Sequence, residues 1–314
     1  QFENSGYQIN NELRSVQVEL NSTLSGNASN KLQVGYTTFN DFRNPFSTPA
    51  PSINIYKDGS PYIIVGHEPF SVHNRLKQKV FQFTDNLNFY KGDHTYTIGV
   101  SFEKFQFDNS FNLVSYGFDL FIPVDINAFN ANNYVGTIAN AEATFAANNG
   151  VEDGTPGGWA LAETNVGQMS FYVQDEWDVN EKLKLTYGLR FDKPLFFDSA
   201  EKAQDVIDRG FVIPGQPYVN PNNGETVFID NTQMPSNKWL YSPRLGFNYD
   251  VNGDDTFQLR GGTGTFTGRF PFVWLGNQIT APDVFFLEAV DPAYKFPQVW
   301  RTNLGADKKF EDGL

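Results

Sequence analysis

Side chains able to do chemistry are few in this sequence and widely scattered. It has three histidines, His67, His73 and His94, and no cysteine, which removes disulfides and thiolate metal sites. A serine hydrolase needs a serine and a histidine within hydrogen-bond reach on a firm scaffold, and no serine is placed convincingly beside one. The neighbouring carboxylates Glu152 and Asp153 fall in a Gly/Pro-rich stretch, not on a rigid strand able to hold an acid–base pair. Asp250-Val251-Asn252-Gly253-Asp254-Asp255 resembles the start of a calcium loop. It lacks the spaced closing glutamate, and Asn-Gly is a strong turn signal, so a plain turn is expected. No catalytic group, metal site or cofactor is expected. What remains is Arg190, Arg244, Arg260 and Arg301, whose planar guanidinium forks suit carboxylates in bidentate pairs. Whether they act together depends on the elements that carry them.

Those elements are strands. From Gly167 to Lys193, Met169, Phe171, Val173, Trp177 and Val179 alternate with Gln168, Ser170, Tyr172, Gln174, Glu176 and Asp178. After a turn at residues 179–182, Leu183, Leu185, Tyr187, Leu189 and Phe191 alternate with Lys184, Thr186, Gly188, Arg190 and Asp192. Period-two alternation puts the two sets on opposite faces, and two such runs around a short polar turn read as an antiparallel hairpin. The runs exceed the usual strand of about 5 to 6 residues. They match the roughly 9 to 11 residues that a tilted strand needs to cross a bilayer.

The pattern recurs along the chain: 14–24 with 32–37, 72–90 with 95–107, 238–250 with 255–267, and a last strand over 298–310, with Leu314 beginning a tenth. The turns within the pairs are short, whereas the connections near 41–71, 109–165, 195–236 and 269–296 are long. Short and long alternate strictly, so the short turns share one rim and the long loops the other. Short periplasmic turns and long extracellular loops are the habit of outer-membrane barrels, and loops beyond about 15 residues are unusual in compact soluble domains. The fold class is therefore all-β: an antiparallel up-and-down transmembrane β-barrel, present as about nine strands of a larger one. Nine strands do not close a bacterial barrel, which takes an even number, so the chain reads as a fragment. Helices are expected at 137–148 and 199–210, the second with a serine cap and a closing glycine. The 109–165 connection carries Asp119, Asp125, Glu142, Glu152, Asp153 and Glu163 without Lys or Arg, and a solvated acidic loop is favoured there over a cation site.

Composition agrees. No apolar run reaches the roughly 18 to 20 residues of a transmembrane helix, and mean hydropathy is −0.42. A barrel evades that test because half of each strand faces a wet lumen. The net charge of −13 over 314 residues disfavours nucleic acid as a partner and leaves outer-membrane lipid.

If the apolar side meets lipid, Arg190, Arg244, Arg260 and Arg301 line the lumen of four successive strands near mid-height. Gly188, Gly246, Gly262 and Gly264 share that side and leave room for another element. Tyr90, Trp177, Tyr249 and Phe257 lie near the short turns, as an aromatic girdle would. Asp85 and Asp175 interrupt the apolar side near those turns, where a carboxylate reaches headgroup level at small cost. Loop aromatics Trp159, Phe270, Phe272, Trp274, Phe285 and Phe286 form either an external binding surface or packing between loops.

At YVQDEWDVNEKLKLTYGLRFD (residues 172–192) and YSPRLGFNYDVNGDDTFQLRGGTGTFTGR (residues 241–269) the chain resembles the barrel of TonB-dependent outer-membrane receptors. FPQVWRTNLGADKKF (residues 296–310) is similar to the Oar-like branch found in Bacteroidota. The resemblance implies a 22-stranded barrel in a Gram-negative outer membrane, an inner plug domain outside this chain, and energy from a TonB complex contacting the missing N-terminal part. It implies energy-coupled uptake of an unidentified ligand, and makes the four lumen arginines candidates for docking the plug or for a structural lumen network, with guidance of an anionic substrate as the alternative. The alternatives are a non-transporting adhesion or structural outer-membrane protein, and a soluble β-rich carbohydrate-binding module.

Overall fold

Alternation of apolar and polar residues favours extended chain over helix, and most of this chain is extended. The computed structural model describes residues 6–112, 122–208, 217–228, 230–279 and 289–310. Its first half holds β1 (Tyr7–Ser25), β2 (Ala28–Pro45), β3 (Ser52–Lys57), β4 (Ser60–Gly66), β5 (Arg75–Lys91), β6 (His94–Ser110), β7 (Ile122–Asp125) and α1 (Val135–Asn149). Then come β8 (Ala162–Asn180), β9 (Leu183–Leu195), α2 (Ser199–Asp208), β10 (Pro217–Val219) and β11 (Thr226–Phe228). The chain closes with β12 (Leu240–Asp250), β13 (Phe257–Thr267), α3 (Val273–Gln278) and β14 (Gln298–Lys308).

Nine strands form one antiparallel sheet in the order β1-β2-β5-β6-β8-β9-β12-β13-β14. The remaining strands make two small sheets inside the long connections, so the wall itself is an uninterrupted meander. The expected tenth strand at Leu314 lies outside the described residues. β1 and β8 each run for 19 residues, well beyond the roughly 9 to 11 that span a bilayer. The first hairpin therefore extends past the expected 14–24 and 32–37 toward the long-loop rim.

Register fixes the two faces, because a slip of one residue would turn every side chain over. One transverse row reads Gln17, Gly35, Gln82, Glu103, Gln168 across five strands, and the adjacent row reads Val18, Val34, Phe83, Phe102, Met169. The apolar face is bare: Val16 is 67% exposed, Val173 51% and Leu304 79%. Phe171 and Phe247 are 44% and 36% exposed, so no second sheet or helical layer is clamped over them. A contiguous apolar surface of this kind marks a lipid contact or a large interface.

The sheet curls toward its polar side. Arg269, just past β13, donates to both carboxylate oxygens of Glu103 on β6 at 2.6 and 2.7 Å. Those strands stand four places apart, about 19 Å of wall at the usual strand spacing. Aromatic rings lie over cross-strand glycines on both faces. A Cβ on Gly99 would come within 2.2 Å of the Tyr172 ring on the polar side, and one on Gly261 within 2.7 Å of the Phe247 ring on the apolar side.

The long connections are folded. In 41–71, β3 and β4 form a hairpin through Asp58 and Gly59, with φ of 51° and 76°, the backbone that an Asp-Gly turn supplies cheaply. β7 adds to this hairpin in parallel with β3. Both expected helices are present as α1 and α2. Ser199 opens α2, but its hydroxyl donates to the carbonyl of Asn165 at 2.8 Å and so ties the helix to β8. The expected closing glycine, Gly210, lies outside the described residues.

Replacing Leu185 or Phe247 with arginine should cost about 2 to 4 kcal/mol if these residues sit near mid-membrane, read as a shift in urea unfolding of the vesicle-inserted protein. Gly99→Leu should displace the Tyr172 ring and cost about 1 to 3 kcal/mol by overpacking, whereas leucine at the uncrowded Gly26 should change little.

Candidate functional site

The polar face encloses a cleft of about 470 Å³ lined by β1, β2, β5, β6, β8 and β9, with Arg269 overhanging it. Its charges are engaged within the wall. Arg190 donates through Nε to Asp192 at 2.9 Å and through an Nη to Ser170 at 2.7 Å, and its guanidinium stands 5.3 Å from the Tyr172 ring centre. Asp192 is only 1% exposed and also accepts from Gln168 and Ser170. A buried carboxylate needs such partners to stay charged. The Tyr172 hydroxyl donates to Asn86, so one network links β5, β8 and β9.

All four expected arginines lie on this face, but the structure divides them. Arg190 is held by Asp192, and Arg260 pairs across the strand boundary with Asp307 at 2.8 Å. Arg244 and Arg301 flank Gly264 on a single transverse row. The Arg244 guanidinium sits 4.5 Å from the Phe266 ring centre. Among the described residues neither Arg244 nor Arg301 has a carboxylate partner. Gly188, Gly246, Gly262 and Gly264 share their face as expected, although the space over Gly188 and Gly264 is taken by Gln174 and Arg244.

On the apolar face, Asp175 does not reach out to headgroup level as its position suggested. It is 5% exposed, and one oxygen accepts from His94 Nδ1 at 2.8 Å and from the Tyr187 hydroxyl at 2.6 Å. The His94 ring is stacked between Tyr96 and Trp177. The rings shut solvent out, and the contacts from His94 and Tyr187 are what make the carboxylate tolerable there. Asp85 accepts from Asn30 at 2.6 Å.

In the loops the structure corrects one expectation: a serine does stand beside a histidine. Ser47 Oγ lies in hydrogen-bond contact with His67 Nδ1, and Glu68 Oε1 is 3.5 Å from Nε2. The trio is wired as a fastening. Glu68 accepts from Phe70 N and Ser71 Oγ, and Ser52 Oγ donates to the His67 carbonyl. Burial pushes the His67 imidazole down to about 4 and the Glu68 carboxyl up. A general base works best with a pKa near the operating pH, so His67 is a poor one.

The other candidates resolve into packing. Asp153 joins Arg75 and His73, and Glu163 pairs with Lys202 at 2.7 Å. The acidic connection is thus partly neutralised by cations from its neighbours; its Asp119 lies outside the described residues. Asp250 accepts the amides of Gly253 and Asp255, both at 2.9 Å, as a turn residue does. Among the described residues no three His, Asp or Glu side chains converge as metal ligands. Trp159 and Phe270 are each 2% exposed, while Trp274 remains 44% exposed; Phe285 and Phe286 lie outside the described residues. Phe270 packs with Val166, Phe196, Leu240, Leu275 and Phe296 in one buried cluster. The Phe-Pro-Phe-Val-Trp run at 270–274 left an external surface and loop packing equally open; packing holds for Phe270, while Trp274 stays exposed.

A curled meander, bare and apolar outside and polar within, defines the wall of a membrane β-barrel. The sequence matches the outer membrane beta barrel domain over residues 1–311, and the chain belongs to that family. It is an outer-membrane protein, and the soluble alternative falls. No curated protein matches the sequence. Among solved structures it is similar to the outer membrane transporter YddB from Escherichia coli, with 12% identity, a TM-score of 0.52, and coverage of 98% of this chain and 33% of that one. It is also similar to the copper transporter OprC, with 13% identity, a TM-score of 0.50, and coverage of 98% and 38%. These likenesses concern the fold, and the chain spans about a third of either structure.

The depressed His67 pKa predicts a pH dependence. Between 6.5 and about 4 the opened loop takes up a proton that the folded loop refuses, so folding weakens as pH falls through that window, by at most about 3 kcal/mol. The raised Glu68 carboxyl works in the opposite sense. Hydrogen exchange across 41–71, corrected for intrinsic rates, should lose protection from pH 7 to 4.5 in the wild type and less in His67→Gln; equal losses would contradict this assignment.

Proposed function

We propose that this chain is part of the barrel of a TonB-dependent, Oar-like outer-membrane receptor that imports an unidentified ligand through its lumen. On this reading the long-loop rim, with connections near 41–71, 109–165, 195–236 and 269–296, faces the cell exterior. A plug domain outside residues 1–314 occupies the lumen and yields when an inner-membrane TonB complex pulls on it. The observation that carries the reading is the polar face itself. Its wall charges are paired locally at Arg190–Asp192 and Arg260–Asp307, while Arg244 and Arg301 face the interior without carboxylate partners among the described residues. Two lumen guanidiniums on one row, beside glycines, fit bidentate capture of carboxylates on an inserted domain. The barrel is then the scaffold and the plug the moving part.

The test is charge reversal in the full-length receptor. Arg244→Glu with Arg301→Glu should loosen the plug and make cells at least several-fold more sensitive to vancomycin, which an intact outer membrane excludes. Heat-modifiable migration on gels would verify that the barrel still folds. Unchanged sensitivity in a folded variant would remove these arginines from plug docking.

A further inference from the structure

Behind β13 the chain does not leave the barrel. Residues 269–279 turn inward and run back over the polar side of the wall as far as β6 and β8. Phe270, Phe272 and Leu275 pack on Val166, Phe196, Phe105 and Phe107. The registers place Val166 opposite Phe105 in the rows that continue Gln168–Glu103 and Ser170–Ser101, which is the lumen side. At one end Arg269 clasps Glu103 and its guanidinium stands 5.2 Å from the Phe105 ring centre. At the other end Gln278 is 3% exposed. Its side chain donates to the carbonyls of Asn231 and Gln233 and accepts from Val290 N, while Asn231 donates to its carbonyl. Between the two ends, Leu275 is fully buried and a Cβ on Gly276 would sit 3.8 Å from that of Ala162 on β8.

We propose that residues 269–279 form a fixed sill seated on the inner wall at the long-loop rim, narrowing the mouth of the lumen. The barrel wall itself then limits the size of what enters, independently of any plug. This rests on the import reading above. A hinged lid would be held at one end and would part from its seat at small cost. This segment is held at both ends, and lifting it would strip Phe270, Leu275, Val166 and Phe296 of their packing at once. The charge on Arg269 is spent on Glu103, so the sill restricts by bulk and not by charge.

Residues 1–314 hold no cysteine, so a direct test is open in cells with the full-length receptor, any cysteine elsewhere in it first being replaced by serine. Thr84→Cys, in the cleft beneath the sill, reports entry through its labelling rate by two membrane-impermeant maleimides, one small and one carrying a long polyethylene glycol. Ala162→Cys with Gly276→Cys locks the sill to β8 by a disulfide, for which the Cβ separation is suitable. A fixed sill predicts the same labelling rate within about two-fold before and after locking. It also predicts at least a ten-fold gain for the long reagent when Phe270 and Leu275 are both changed to alanine. If that trimmed variant does not fold, Arg269→Gln, which opens only the clasp, serves the same comparison with a gain of at least two-fold. Slowing of ten-fold or more on locking would make the segment a lid and overturn the proposal. No gain on trimming or unclasping, including no labelling at all, would also overturn it. Labelling needs neither ligand nor energy, so a receptor that failed to import would still report on the sill.

Discussion

Everything in this structure follows from the cost of an unpaired backbone amide in hydrocarbon. Lipid offers no hydrogen bonds, so a membrane-crossing strand must find them on both neighbours. That requirement forces the continuous antiparallel order from β1 to β14, and it leaves side chains free to differ only between the two faces. One face then answers to acyl chains and the other to water. The rows Val18-Val34-Phe83-Phe102-Met169 and Gln17-Gly35-Gln82-Glu103-Gln168 are that division made visible at adjacent positions.

The same constraint explains where charge is found. On the polar face, Arg190 is paired with Asp192 and Arg260 with Asp307, while Arg244 and Arg301 have no carboxylate partner among the described residues. On the apolar face, Asp175 persists only beneath His94, Tyr96, Trp177 and Tyr187. At the long-loop rim no bilayer applies, and the loops obey ordinary globular rules: small sheets, a helix over Trp159, and buried aromatic clusters. The inward turn of 269–279 belongs to this second regime, yet it seats itself on the polar side of β6, β8 and β12.

How much of this could be read from the sequence tracks the range of the interactions involved. The nine wall strands, their faces and turns, and helices α1 and α2 were legible, because alternation and turn chemistry are local; α3 and the short loop strands were not. The β3–β4 hairpin carries an equally local signal at Asp58-Gly59, between Ile53-Asn54-Ile55-Tyr56 and Tyr62-Ile63-Ile64-Val65, but it lies inside a connection whose length alone reads as a loop. The arginines were placed on the correct face, but their division into held and unpaired pairs depends on Asp192 and Asp307, whose reach is set by side-chain geometry. The Ser47–His67 contact joins residues 20 apart through a loop fold that no periodicity announces. Burial of Phe270 against Val166 spans more than 100 positions, and only the curl of the sheet brings them together.

The central claim is that alternate residues of these strands touch lipid and water. Single cysteines at positions 168 to 173 on β8 and 185 to 190 on β9, carrying nitroxide spin labels in the vesicle-inserted full-length protein, would read it position by position. Collision with oxygen, which concentrates in acyl chains, should peak at 169, 171, 173, 185, 187 and 189. Collision with a water-soluble nickel chelate should peak at the residues between, muted where a plug shields them. Oxygen accessibility without a two-residue period, or with its maxima at 168, 170, 172, 186, 188 and 190, would contradict the account.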